Sequence, residues 1–131
     1  MIKDTGVVVR YIVDDVSEAI TFYEMLGFDV AMRPAPGFAA LNRAGLRLLL
    51  NAPGAGGAGK RADEGPQAGS APRSGGWNRF QLLTDDLDGE LERLRAAGAV
   101  VRTNIVEGRG GRQAVLDDPS GNPVELFEPT G

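Results

Sequence analysis

The sequence is most informative chemically for what it lacks: neither cysteine nor histidine occurs among its 131 residues. Disulfides, thiolate metal sites and a thiol nucleophile are therefore excluded. The commonest transition-metal ligand and the commonest general base near neutral pH are missing as well. A metal would have to be held by carboxylate, amide or carbonyl oxygens, which suit hard ions better than zinc, iron or copper. For proton transfer the remaining candidates are Glu125, Tyr11 and Tyr23. Trp77, the only tryptophan, could stack on a planar ligand or pack at the junction between the two halves described below. Phe38 is a second aromatic candidate. Gly108-Arg109-Gly110-Gly111-Arg112 is glycine-rich, but it lacks phosphate-loop spacing and joins two strands, so a hairpin turn is expected, from which Arg109 could reach a ligand. Glu107, Asp117, Asp118 and Glu128 read as solvated turn charges, and no spacing among them picks out a catalytic pair.

The elements that must position these residues come in two similar runs. Val7–Val13 is rich in β-branched and aromatic residues and reads as a strand. Asp15 opens a helix, with Glu18 at the capping-box position. Val16, Ala19, Ile20, Tyr23 and Leu26 recur at helical spacing, and Gly27 ends the helix as a left-handed cap. Strands are expected near 28–33, 37–42 and 46–51, punctuated by Pro34, Pro36 and Gly45. The second run has a strand over 79–84, a helix from Asp86 to Gly98 with Leu87, Leu91 and Leu94 on one face, and strands near 100–106, 112–116 and 123–127. Asp117–Asn122 is a strong turn signal before the last strand. Asp14-Asp15 and Asp85-Asp86 stand 71 positions apart, as do Gly27 and Gly98, and Val30 and Val101. The helices therefore match without a gap, and two strand–helix–three-strand modules follow. Between them, residues 52–76 are dense in Gly, Pro, Ala and Ser without apolar periodicity and read as a flexible linker or mobile loop. The expected organisation is α+β, one domain over 1–131, with module one at 5–51 and module two at 77–129.

Composition narrows the partners. A net charge of −4 argues against a nucleic-acid or anionic-membrane surface. No apolar stretch approaches the ~20 residues needed to span a bilayer. The first residues, Met1–Gly6, carry no apolar signal segment, so a cytoplasmic location is expected.

Asp14-Asp15-Val16 followed by Phe22-Tyr23 and Leu26-Gly27-Phe28 resembles the first helix of vicinal oxygen chelate proteins, the glyoxalase, bleomycin-resistance and dioxygenase group. Asp117-Asp118-Pro119-Ser120-Gly121-Asn122 through Pro129 resembles their closing hairpin and is the more specific match. Gly75-Gly76-Trp77-Asn78 through the second helix is similar to uncharacterised bacterial members. The resemblance covers nearly everything except 52–76. It implies two βαβββ modules, paired edge to edge as curved mixed sheets with helices outside, around a shared cavity often completed by dimerisation; a homodimer is therefore expected. Metal-dependent members place up to four His, Gln or Glu ligands in that cavity, from the first and last strands of each module. By that resemblance the four positions fall on Val8, Leu48, Arg79 and Glu125. Only Glu125 keeps a ligand type, so no tight divalent site and no cofactor are expected.

Strand alternation then assigns faces. With Val8 inward, Arg10 and Ile12 follow it, while Val9, Tyr11 and Val13 turn to the helix. Arg79, Gln81 and Leu83 point inward and Phe80 and Leu82 to the helix. Glu125 and Phe127 face the cavity, as do Leu48 and Leu50. The expected ligand-binding residues are Arg10, Phe38, Leu48, Trp77, Arg79, Gln81, Glu125 and Phe127, apolar patches with few polar groups. An ion pair between Arg79 and Glu125 is expected; it either puts a guanidinium where a metal would sit or simply neutralises itself. The expected function is metal-independent capture of a planar or amphipathic small molecule, as in antibiotic or secondary-metabolite sequestration. The alternative is a lyase, isomerase or dioxygenase of the same family, using Glu125 with a weak or unusual metal site.

Overall fold

The computed structural model describes residues 2–3, 6–55, 65–66 and 69–130. The chain divides into two compact units, Met1–Ser74 and Gly75–Gly131, so the division falls inside the stretch expected to link the modules. Residues 56–64 and 67–68 of that stretch lie outside the described residues.

The first unit runs β1 (Val8–Ile12), α1 (Val16–Met25), β2 (Asp29–Ala35), β3 (Phe38–Arg43) and β4 (Leu46–Asn51). Its four strands form one mixed sheet in the order β1-β4-β3-β2, with β1 parallel to β4 and the other pairs antiparallel. The second unit repeats this with β5 (Gln81–Leu83), α2 (Leu87–Ala96), β6 (Val100–Glu107), β7 (Gly111–Asp117) and β8 (Pro123–Pro129), in the order β5-β8-β7-β6. Both helices begin as their sequences dictate. Asp15 accepts from the Glu18 amide at 3.0 Å, and Asp86 accepts from the Gly89 amide at 3.1 Å. Both end at a glycine in the left-handed region, Gly27 at φ +90° and Gly98 at φ +93°, a conformation that side-chain-bearing residues resist.

The repeat reaches further than the helices. β2 shifts register against β3 between Val30 and Met32 and again between Met32 and Ala35. β6 shifts against β7 between Val101 and Thr103 and between Thr103 and Val106, the same places 71 residues on. Pro34, expected to end a strand, lies within β2. β2 is the edge strand of its sheet among the described residues, which is where a sheet tolerates proline.

One face of each sheet is buried under its helix. In unit one, Tyr11 meets Tyr23 of α1 edge-on at 6.5 Å, and Tyr23 also meets Phe22 and Phe28. Val13, Ala39, Leu41, Leu48 and Leu50 complete that core. In unit two, Leu82, Ala114, Leu116, Val124 and Leu126 lie on the side of Leu87, Leu91 and Leu94 of α2. Glu128 holds the helix there by accepting from the Leu87 amide at 2.8 Å.

Candidate functional site

Cross-strand register fixes which side chains share the face away from each helix, because paired residues point the same way. In unit two Gln81 lies opposite Glu125, Leu83 opposite Phe127, and Val115 opposite Glu125. These residues line the face away from α2. Leu83 is 63% exposed and Glu125 only 7%. The Glu125 carboxylate is engaged at both oxygens. Oε1 accepts from Arg79 Nε at 2.9 Å and Nη2 at 2.8 Å, while Oε2 accepts from Gln81 Nε2. The same guanidinium donates through Nη1 to the Trp77 carbonyl at 3.1 Å. The expected Arg79–Glu125 pair is thus present, and it also ties down the chain entering β5.

Trp77 is 61% exposed, and the Arg102 guanidinium lies 4.6 Å from its ring centroid. Arg102 further donates to Asp117 Oδ1 at 2.6 Å, the Gly76 carbonyl and the Gly121 carbonyl at 2.8 Å. One residue thereby joins the approach to β5, the edge strand β6 and the turn before β8. Sequence reasoning missed Arg102, because its partners are 15 to 26 residues distant and no local pattern marks them.

The turn charges need correcting. Asp118 is buried, at 3% exposure. Its Oδ1 accepts from the Ser120 and Asn122 amides, both at 2.9 Å, and its Oδ2 accepts from Asn122 Nδ2 at 3.0 Å. A short carboxylate at the start of a tight turn folds back on its own backbone amides, which removes it from water. Asp117 pairs with Arg102, and Glu128 caps α2 and pairs with Arg112 at 3.5 Å. The Asp88 carboxylate beside Arg112, with Glu128 adding to it, raises that guanidinium above its ordinary value, partly offset by desolvation. Gly108–Gly111 forms the expected hairpin, closed by the Gly108 amide donating to the Gly111 carbonyl at 2.8 Å.

In unit one the face away from α1 carries Arg10, Leu49, Asn51, Ala40 and Phe38: Arg10 lies opposite Leu49, Ile12 opposite Asn51, and Phe38 opposite Asn51. Leu48 and Leu50 do not belong to it. They pair with Val9 and Tyr11 and are fully buried on the α1 side. The expectation that Leu48 lines a ligand site is therefore wrong by one residue, and in a strand one residue exchanges the faces. Leu49 stands where Glu125 stands in unit two, since Arg10 corresponds to Gln81 and each faces its counterpart across the parallel pair. Of the expected ligand-binding residues, the register places Arg10 and Phe38 on the open face of unit one. Gln81, Glu125 and Phe127 lie on that of unit two, with Arg79 bound to Glu125. Trp77 precedes that face, and Leu48 falls in the unit-one core. Tyr11 and Tyr23 both lie in the α1 core.

Each half of the chain is thus a βαβββ module with one sheet face under a helix and the other bearing a sparse polar set on apolar ground. The chain belongs to the Glyoxalase/Bleomycin resistance protein/Dioxygenase superfamily, whose family model matches residues 7–126. It is 26% identical over 116 residues to an uncharacterized protein of Mycolicibacterium smegmatis, covering 88% of this chain and 86% of that one. Among solved structures it is similar to TnmS3, an antibiotic binding protein from Streptomyces sp. CB03234, with 25% identity, a TM-score of 0.68 and 99% of each chain covered. It also resembles lactoylglutathione lyase from Agrobacterium tumefaciens, with 21% identity, a TM-score of 0.69 and 98% and 96% of the chains covered. That second likeness speaks for the fold alone.

The metal that some members of this group use does not fit the residues present. The corresponding positions are Val8, Leu49, Arg79 and Glu125, and the one carboxylate already accepts from three donors. A divalent ion needs several electron-pair donors, and a guanidinium offers none. Among the described residues no group of three or more His, Cys, Asp or Glu side chains comes together. Nor does any described helix have the length and apolarity to cross a membrane.

Proposed function

We propose that this chain is a metal-independent small-molecule-binding protein that captures a planar or amphipathic molecule, of the antibiotic or secondary-metabolite kind, on the sheet faces turned away from its helices. The observation that carries this reading is the Arg79–Glu125–Gln81 cluster. It sits where metal-dependent relatives keep a ligand, its hydrogen bonds are satisfied internally, and Leu83, Phe127 and Val115 surround it with apolar surface. Few fixed polar groups on an apolar wall orient a ligand. The similarity to an antibiotic binding protein supports the same reading. Arg10, Phe38, Trp77, Arg79, Gln81, Glu125 and Phe127 are the proposed binding residues, and a homodimer is the proposed working state.

The test is a thermal-shift screen of chelator-treated protein against planar aromatic antibiotics and metabolites, followed by calorimetry on the hits. A ligand at 100 times its dissociation constant adds about 2.7 kcal/mol of stability. Saturable binding unaffected by chelator supports the reading. Metal-dependent turnover of a methylglyoxal–glutathione adduct or a catechol, abolished in Glu125→Gln, overturns it. Light scattering on the eluted protein reads the oligomeric state.

A further inference from the structure

The two modules carry different charges at corresponding positions. In unit two the corner holds Arg79, Gln81 and Glu125, one cation against one anion. In unit one the same three places hold Val8, Arg10 and Leu49. The cation has moved to the position of the amide, and the carboxylate has become a leucine. Among the described residues Arg10 is therefore left on its sheet face without an acid. Its Nη1 donates to Asn51 Oδ1 at 3.1 Å, and among the described residues it enters no ion pair.

Asn51 is built to hold that guanidinium without neutralising it. Its side chain is fully buried. Its Nδ2 donates to the Ala55 carbonyl at 3.2 Å, and its backbone carbonyl accepts from the Val13 amide at 2.9 Å. The amide is thereby oriented, with its nitrogen toward Ala55 and its oxygen toward Arg10. Asn51 anchors Arg10 through a neutral acceptor, so the positive charge is positioned and, among the described residues, meets no carboxylate. Around it lie apolar groups on the same face: Ile12, Leu49, Ala40 and Phe38. Arg47 is on this face as well, opposite Val8. In the four strands of the sheet the only carboxylate is Asp29, on edge strand β2 opposite Asn42 and three strands from Arg10.

We infer that the open face of the first sheet is an anion-recognising subsite, in which Arg10, oriented by Asn51, takes the carboxylate or sulfonate of an amphipathic ligand while Phe38, Leu49 and Ile12 take its apolar body. A guanidinium matches such groups with paired donors. The net charge of −4 gives anions no general attraction to the chain, so the preference is local. This inference rests on the small-molecule reading and specifies its ligand as an anion with an apolar body.

The experiment compares naphthalene-2-carboxylate with naphthalene-2-carboxamide, the same body with and without charge, by calorimetry on the full chain at low salt. The expected result is carboxylate binding about tenfold tighter than carboxamide, the scale of one charge-assisted hydrogen bond. Arg10→Gln removes the difference by weakening the carboxylate about tenfold more than the carboxamide, and Arg10→Lys keeps part of it. Arg95→Gln, on exposed α2 surface, changes neither. Equal binding of the two probes by the wild-type chain overturns the inference and leaves small-molecule binding standing. An equal loss in Arg95→Gln also overturns it, since the preference would then be diffuse charge. Failure of the carboxylate to bind overturns it too, and whether any small molecule binds is read separately from the ligand screen.

Discussion

Replacing Arg79 by methionine leaves the largely buried Glu125 carboxylate with one donor in place of three. The acid side chain is 9% exposed and the arginine 26%. Removing one partner of a buried pair costs about 3–5 kcal/mol, because the remaining charge has no water to return to. Glu125 retains the hydrogen bond from Gln81, which puts the cost at the lower end, about 3 kcal/mol. Glu125→Leu is milder, about 1–2 kcal/mol, because the more exposed guanidinium can turn toward solvent and keep the Trp77 carbonyl. Arg79→Met/Glu125→Leu removes both charges and comes back to within about 1 kcal/mol of the parent, as buried pairs replaced by apolar groups do. Urea unfolding followed by Trp77 fluorescence, with circular dichroism as the second probe, measures all four corners of this cycle. With an m value of roughly 2 kcal/mol per M, Arg79→Met lowers the midpoint by about 1.5 M. The reasoning is refuted if Arg79→Met costs less than Glu125→Leu, or if the double variant is no more stable than Arg79→Met.

Three further expectations concern the scaffold and the metal. Gly111→Ala puts a methyl group 2.0 Å from the Glu128 carbonyl oxygen and should destabilise by about 3 kcal/mol, whereas Gly108→Ala meets nothing closer than 3.9 Å and should cost under about 1 kcal/mol; urea titration compares the two. Asp118→Ala strips three donors of their acceptor and should cost about 2–3 kcal/mol, with faster hydrogen exchange at the Gly75 amide, which donates to Asn122 at 2.9 Å. Dialysis against a chelator should leave the melting temperature within about 1 °C of its starting value, and one equivalent of a transition metal retained through dialysis would contradict the poor fit of Arg79 and Glu125 to a cation.

The helices were legible because their signals are local: an aspartate cap, an apolar stripe and a terminal glycine within a dozen residues, repeated in phase. Strand faces were legible where strands alternate. Gln81-Leu82-Leu83 and Val124-Glu125-Leu126-Phe127 gave the right sides, and with them the Arg79–Glu125 pair. Asp118 misled because its charge suggests water, although an aspartate followed by Ser120 and Asn122 in a tight turn has backbone amides within reach to replace it. Arg10–Asn51 and Arg102 were out of view, since they depend on strand pairing and partners far along the chain.

The misplacement of Leu48 has a definite cause. Leu46-Arg47-Leu48-Leu49-Leu50-Asn51 does not alternate, so no period assigns its faces. The 71-residue offset that aligns the modules also fails to reach it. That offset holds through the edge strands, where Val30, Met32 and Ala35 match Val101, Thr103 and Val106 even in their register shifts. The hairpin after the edge strand is longer in the second module, and the next turn lengthens again, so β4 and β8 align only through the sheet. The pairing of Arg10 with Leu49 and of Gln81 with Glu125 restores the correspondence. Only then does the difference between the modules emerge. The same backbone corner is electrically closed in one half, where an acid and a guanidinium satisfy each other. It is open in the other, where a buried asparagine steadies a guanidinium that no acid meets among the described residues. Two copies of one module thus diverge at the same three positions, Val8, Arg10 and Leu49 in the first and Arg79, Gln81 and Glu125 in the second.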